Sequence, residues 1–212
     1  EVLDKSGKKY LLETNRLLSE IAKTSVADNN STLSKKKDEW IYEGSPIEVA
    51  LLAFSKKIGL DYYKFKNKIK TIHEIPFDSQ KKYSAKIFEE SGDIQVALKG
   101  APEIVLPFCS KIMDSSDRIS DINHEKINDM ASQLTGEGYR VIAIAKGFIK
   151  DDNKIKKYKP ENLVFLGLAG FIDPLRPDAK AAVNECIDAG IKVVMITGDH
   201  PGTAAYIGRD LG

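Results

Sequence analysis

The residue types best able to do chemistry stand at the end of an apolar run. Ile191-Lys192-Val193-Val194-Met195-Ile196 stops at Thr197-Gly198-Asp199, and Pro201 then opens a predicted helix. A buried parallel strand, a polar turn and a helix N-terminus in that order make a phosphate-handling geometry. Free N–H groups and the positive end of the helix dipole gather where strand and turn meet. The Thr197 hydroxyl and the Asp199 carboxylate would face the same crevice. Asp199 also reads as a helix cap ahead of Pro201. A second candidate is Glu48, third after Ser45 in Ser45-Pro46-Ile47-Glu48, where a capping box would place it.

These residues need elements to hold them. Leu11, Leu12, Leu17, Leu18, Ile21 and Ala22 recur at helical spacing, which predicts a helix over 9–25. The polar stretch 28–38 reads as a loop. A helix opens at Ser45-Pro46 and stops near Gly59. Tyr83–Glu90 and Ile94–Lys99 read as strands about a Ser91-Gly92-Asp93 turn. Ile94, Val96 and Leu98 alternate with Gln95, Ala97 and Lys99, which gives one apolar face. A short helix follows Gly100 and ends near Cys109, and another spans 122–135, closed by Gly136 and Gly138. Arg140–Lys146 and Leu163–Phe171 are predicted strands. Beyond rigid Asp173-Pro174-Leu175-Arg176-Pro177, a helix over 178–189 leads through Gly190 into a strand at 191–196. The order predicts an α+β domain, an antiparallel sheet flanked by helices, followed by a partial α/β segment.

Composition sets the outer limits. The 212 residues carry 32 Lys plus Arg against 31 Asp plus Glu, a net charge of +1. No basic field exists to collect nucleic acid. Lys35-Lys36-Lys37 and Lys154–Lys157 read as solvated loops. Cys109 and Cys186 match no metal-ligand spacing and are expected to be buried. No stretch is long and apolar enough for a membrane span, and no signal peptide is visible. The chain is expected to be soluble. It stops a dozen residues after the Thr197 motif, so a piece of a larger machine is expected.

Several separated motifs, taken together, resemble the P-type cation-transporting ATPases. Lys99-Gly100-Ala101-Pro102-Glu103 resembles their nucleotide-domain motif, and Asp173-Pro174-Leu175-Arg176 their hinge. Thr197-Gly198-Asp199 with His200-Pro201-Gly202-Thr203-Ala204 resembles their phosphorylation-domain motif. Gly44-Ser45-Pro46-Ile47-Glu48 with Ala50-Leu51 resembles the segment beside the adenine pocket. The His-Pro form and Pro76-Phe77-Asp78-Ser79 lean towards the calcium-pump and sodium-pump branch. The resemblance implies a nucleotide-binding domain over 1–171, a hinge over 172–177 and part of a haloacid-dehalogenase-like phosphorylation domain over 178–212.

It also implies roles. Lys99 would line the ATP pocket, where a desolvated ammonium makes charge-assisted contacts. Gly100 lets the backbone come close to a ligand. Phe77 matches the aromatic that stacks on adenine, worth about 1–3 kcal/mol. Lys82, with Lys81 beside it, matches a lysine of the same pocket, and Ser79 stands where many relatives carry arginine. Glu48 would accept from the adenine amino group, or else close its capping box. Arg140 would reach the phosphates, and Asp173 and Arg176 would organise the hinge and touch nucleotide on closure. Thr197 would bond the transferred phosphoryl group, with Gly198 in the turn and Asp199 orienting hinge or nucleotide. Mg²⁺ would accompany ATP in the whole pump.

The family's nucleophile, an aspartate in Asp-Lys-Thr-Gly-Thr, has no true counterpart. Asp4-Lys5-Ser6-Gly7-Lys8 mimics it without a preceding apolar strand and reads as a turn. The chain is therefore expected to bind ATP but not to form an aspartyl-phosphate alone. Its partners would be the remaining phosphorylation, actuator and transmembrane domains, making it a cytoplasmic part of a membrane protein. The rival readings are a haloacid-dehalogenase-type phosphatase and a non-enzymatic nucleotide-binding module.

Overall fold

The computed structural model describes residues 15–149, 155, 158–172, 175–197 and 201–212. Asp4–Lys8, Lys154, Lys156, Lys157, Asp173, Pro174, Gly198 and Asp199 lie outside them. The chain divides into two compact units. One runs to His124 and resumes over Ile142–Leu168; the other holds Glu125–Val141 and Ala169–Gly212.

In the first unit, α1 (Arg16–Ala27) starts on Asn15, whose side chain accepts from the Leu18 amide at 3.0 Å. It runs two residues beyond the expected end, and its buried residues are Ala22 and Thr24–Ala27. The expected loop over 28–38 is corrected: β1 (Thr32–Lys36) and β2 (Glu39–Glu43) form a hairpin about Lys37-Asp38. Its polar composition hid it, because only Leu33 among its strand residues is buried. α2 (Pro46–Lys57) opens on proline as expected. α3 (Tyr62–Lys68) is an addition, capped by Asp61.

The main sheet is built from β3 (Lys70–Ile75), β4 (Tyr83–Glu90), β5 (Asp93–Gly100), β6 (Cys109–Met113), β7 (Ile119–Asp121), β8 (Arg140–Phe148) and β9 (Leu163–Phe171). The strand order is β3-β4-β5-β8-β9-β6-β7. The expected α+β class holds, but the sheet is mixed rather than purely antiparallel, since β6 and β9 run parallel. The short α4 (Pro102–Val105) follows β5, and α5 (His124–Gly136) precedes β8.

β5 is covered on both faces, which corrects the expectation of one apolar and one polar face. Val96 packs with Ile87 and Ile155 on one side. On the other, Ala97 and Phe88 pack against Val26, Leu52, Tyr62 and Phe65 from α1, α2 and α3. Lys99 stands two residues beyond Ala97, so strand alternation aims it into the helical layer.

In the second unit, α6 (Ala179–Asp188) and α7 (Pro201–Leu211) lie where expected. Gly190 at φ 75° turns the chain after α6, and the Ile191 amide donates to the Cys186 carbonyl at 2.8 Å. The predicted strand over 191–196 is not formed: residues 191–197 have no regular structure and are exposed. A strand is stabilised by its neighbours, and no described strand lies beside this run. Cys109 is buried as expected, and burial pushes its thiol up to about 12. Cys186 is only half-buried.

Candidate functional site

Sheet register assembles a row of polar side chains on the helix-covered face. Glu74 of β3 is opposite Lys86 of β4, and Ser84 of β4 is opposite Lys99 of β5. Ser84, Lys86 and Lys99 are all buried. Above the row pass the end of α1, the segment Asp28–Ser31 and the first turn of α2. Asn29 ties these together: its Nδ2 donates to the Glu48 carbonyl at 2.9 Å and its Oδ1 accepts from the Ser31 amide at 2.9 Å.

Lys99 is the centre of this arrangement. Its Nζ donates to the Asp28 main-chain carbonyl and lies 3.1 Å from Asp28 Oδ2 and 3.0 Å from Glu48 Oε1. Ser84 Oγ donates to Asp28 Oδ2 at 2.7 Å. Beside it, Lys86 Nζ donates to Asn30 Oδ1 at 2.8 Å and lies 3.6 Å from Glu74. Asn30 Nδ2 donates to Glu74 at 2.6 Å, and Lys66 Nζ donates to the Ser31 carbonyl at 3.3 Å. A buried ammonium is tolerable only when its donors are met in this way.

Glu48 does not close a capping box. Ser45 makes no side-chain cap, and its amide donates instead to Ser31 Oγ at 3.1 Å. Glu48 Oε2 accepts from the Asn30 amide at 3.1 Å and from Ser31 Oγ at 2.9 Å, while Oε1 faces Lys99. The capping reading fails because stronger, charge-assisted partners outbid the N-terminal amide. Burial alone would push the Glu48 carboxyl up; the Lys99 charge and these hydrogen bonds outweigh it and hold the group below its ordinary value. Asp28 moves the other way, because near-complete burial raises it against the pull of Lys99 and Ser84. Burial, then the charge of Lys86, lowers Lys66.

The other candidates of this unit surround that centre less tightly. A Cβ on Gly100 would stand 2.5 Å from the Lys82 carbonyl, so only glycine fits there without backbone movement. Lys82 itself, at φ 56°, pairs through its ammonium with Glu103 at 3.1 Å on the surface. Phe77 lies in the β3–β4 connection and is 66% exposed, an uncovered apolar plate. The structure thus brings Glu48 and Lys99 into contact, and does not give Lys82 or Phe77 a partner in that ion cluster.

In the second unit, Arg140 opens β8 with an exposed side chain. Arg176 is exposed before α6, and its carbonyl accepts from the Ala179 amide at 3.0 Å. Thr197 ends the exposed run. Sequence reading missed Asp28, Asn30, Ser31, Glu74, Ser84 and Lys86. The one available signal was polar residues at period two, Ser84 and Lys86, alternating with Tyr83, Ala85 and Ile87 at the start of β4.

Among the described residues no group of three or more His, Cys, Asp or Glu side chains could hold a metal ion. No described helix is long and apolar enough to cross a membrane.

Residues 17–178 match the family model described as P-type ATPase, cytoplasmic domain N. The chain is 34% identical over 198 residues to a cation-transporting ATPase of Synechocystis sp., covering 92% of this chain and 22% of that protein. It is 36% identical over 187 residues to a calcium-transporting ATPase of Bacillus subtilis, with 86% and 21% covered. It is 38% identical over 201 residues to a sodium/potassium exporting P-type ATPase of Schizosaccharomyces pombe, with 91% and 19% covered. The chain thus spans about a fifth of the length of these curated relatives.

Proposed function

The chain belongs to the P-type ATPases, as a cytoplasmic domain N, and from that premise we propose that it binds ATP beside Lys99 as one part of a cation pump. The observation that carries this is the contact of buried Lys99 with half-buried Glu48 at the end of β5, next to a glycine that brings backbone close. It offers a cation and an anion side by side at a site with little water. A purine presents ring acceptors and an exocyclic amine together, which suits such a pair. Phe77 would supply the stacking plate and Lys82 a contact to phosphate.

On the same reading, Asp173 and Arg176 belong to the hinge, and closure there brings the γ-phosphate to an aspartate that this chain does not supply. Residues 178–212 would be the opening of a haloacid-dehalogenase-like phosphorylation domain, with Thr197, Gly198 and Asp199 at its phosphoryl site. The relatives' names, a cation-transporting, a calcium-transporting and a sodium/potassium exporting ATPase, support a cation pump. Mg²⁺ would arrive with ATP and neutralise its phosphates; no described residue is assigned to it.

Titration calorimetry with ATP tests this. Phe77→Ala should weaken binding roughly ten- to a hundredfold, the loss of one stacked base, and its exposure means the fold should not suffer. Lys99→Ala should weaken binding strongly, and Lys8→Ala should leave it unchanged. Equal affinity in all four proteins would refute the assignment.

A further inference from the structure

Two carboxylates grip one ammonium here, and their situations differ. Asp28 has a side chain 5% exposed, against 19% for Glu48. Asp28 is also fixed from several directions. Its amide donates to the Thr24 carbonyl at 3.1 Å as α1 ends, its Oδ2 accepts from Ser84 Oγ, and its own carbonyl accepts from Lys99. Ser84 is in turn the cross-strand partner of Lys99, so the sheet itself sets this spacing. Glu48 lies nearer solvent and keeps Asn30 and Ser31 as partners whether or not Lys99 is present.

We propose that Asp28 is the positioning residue of the site: it is the permanent inner counter-ion that aims Lys99, and Glu48 is the exchangeable outer one. The proposal rests on the ATP-binding reading above. An ammonium has three donors. Two are committed to the Asp28 carbonyl and carboxylate, and the third, on Glu48, is the one a ligand acceptor can take. When it does, Lys99 keeps a buried counter-ion, and Glu48 turns a lone pair to a donor on the ligand. If Asp28 were neutral, Glu48 would be the only anion among the described residues touching Lys99, and a ligand would have to break that ion pair. Lys86, Glu74 and Lys66 face the same segment, but Lys86 is occupied with Asn30 and Glu74, and Lys66 with the Ser31 carbonyl. They cannot replace Asp28 in its contact with Lys99.

The test is a double-mutant cycle on ATP affinity in the whole chain, with Asp28→Asn, Lys99→Met and the double variant. Asp28→Asn keeps the shape and removes the charge. It should weaken ATP binding about tenfold when Lys99 is present and less than twofold in the Lys99→Met background. Equal weakening in both backgrounds would mean a merely structural role and would overturn the proposal. A ligand-free measurement separates this from the ATP reading: the Lys99 Nζ–H signal in ¹⁵N NMR should be sharp in wild type and in Glu48→Gln, and broadened away by solvent exchange in Asp28→Asn. The reverse pattern, loss in Glu48→Gln and persistence in Asp28→Asn, would overturn the assignment of inner and outer roles. A wild-type chain that binds no ATP sinks the ATP reading, and the NMR pattern then decides the role of Asp28. Ser84→Ala, which removes only the tether, should reproduce the Asp28→Asn effects in weaker form and guards against a variant that fails to fold.

Discussion

Ile94-Gln95-Val96-Ala97-Leu98-Lys99 and Ile191-Lys192-Val193-Val194-Met195-Ile196 are apolar runs of the same length and character. The first lies within β5, between β4 and β8, with Val96 to Lys99 buried. The second has no regular structure, and Ile196 is 94% exposed. Intrinsic preference cannot explain this, since β-branched residues are more frequent in the second run. What separates them is company. β5 has paired backbone on both edges, and α1, α2 and α3 cover the face that carries Ala97. The same company makes the site: Lys99 acquires Asp28 and Glu48, while Thr197 ends a run that no described strand pairs.

Truncation should separate the two runs most widely. Leu98 is fully buried, and Leu98→Ala should cost about 2–5 kcal/mol. Val194 is 67% exposed, and Val194→Ala should change stability by less than about 0.5 kcal/mol. Denaturant unfolding followed by circular dichroism measures both. A comparable loss from Val194→Ala would show that the second run packs as a strand in solution, and the contrast would fail.

A smaller effect sharpens the contrast at helix starts. Asn15 and Asp178 are both cap-forming residue types ahead of a helix. The Asn15 side chain accepts from the first turn of α1, whereas Asp178 sits in helical backbone with no side-chain cap. Asn15→Ala should therefore cost about 1 kcal/mol, and Asp178→Ala less than about 0.5 kcal/mol. Equal losses would mean that cap chemistry, not context, governs both.

These pairs also mark what the sequence could reveal. Signals that act over a few residues survived: Pro46 and Pro201 opened helices, and Ser91-Gly92 turned β4 into β5. Glu48 and Lys99 stood out by type and motif, and they touch. The second carboxylate on Lys99, Asp28, was hidden in a polar stretch that read as solvent-facing. Its burial depends on α1 ending over a strand reached by the chain about seventy residues later. The row Glu74, Lys86, Ser84 and Lys99 likewise exists only once cross-strand register is known. The capping box was a local pattern overruled by a non-local charge. The failed strand at 191–196 was the opposite case, a local pattern without the neighbours that would complete it.

The smallest effect concerns pH, and it tests whether neighbours set charge on the packed face as well as shape. Lys99, Ser31 and Asn30 overcome burial to hold Glu48 below its ordinary 4.5. A carboxylate lowered in this way stabilises the fold above its unfolded value, and that contribution drains as pH falls through the folded one. Asp28, raised by burial above 3.8, has the opposite sign: its contribution is complete below 3.8 and is lost as pH rises through the folded value. The two contributions oppose each other where they overlap. Glu48→Gln removes only the first contribution. The stability gap between wild type and Glu48→Gln should therefore narrow as pH falls below about 4.5. Glu48 is partly open to water, so screening keeps the change modest. Urea unfolding midpoints between pH 3 and 7 measure it. A gap that stays constant across that range would mean that Glu48 titrates no differently in the folded chain, and the charged grip on Lys99 would lose its energetic support.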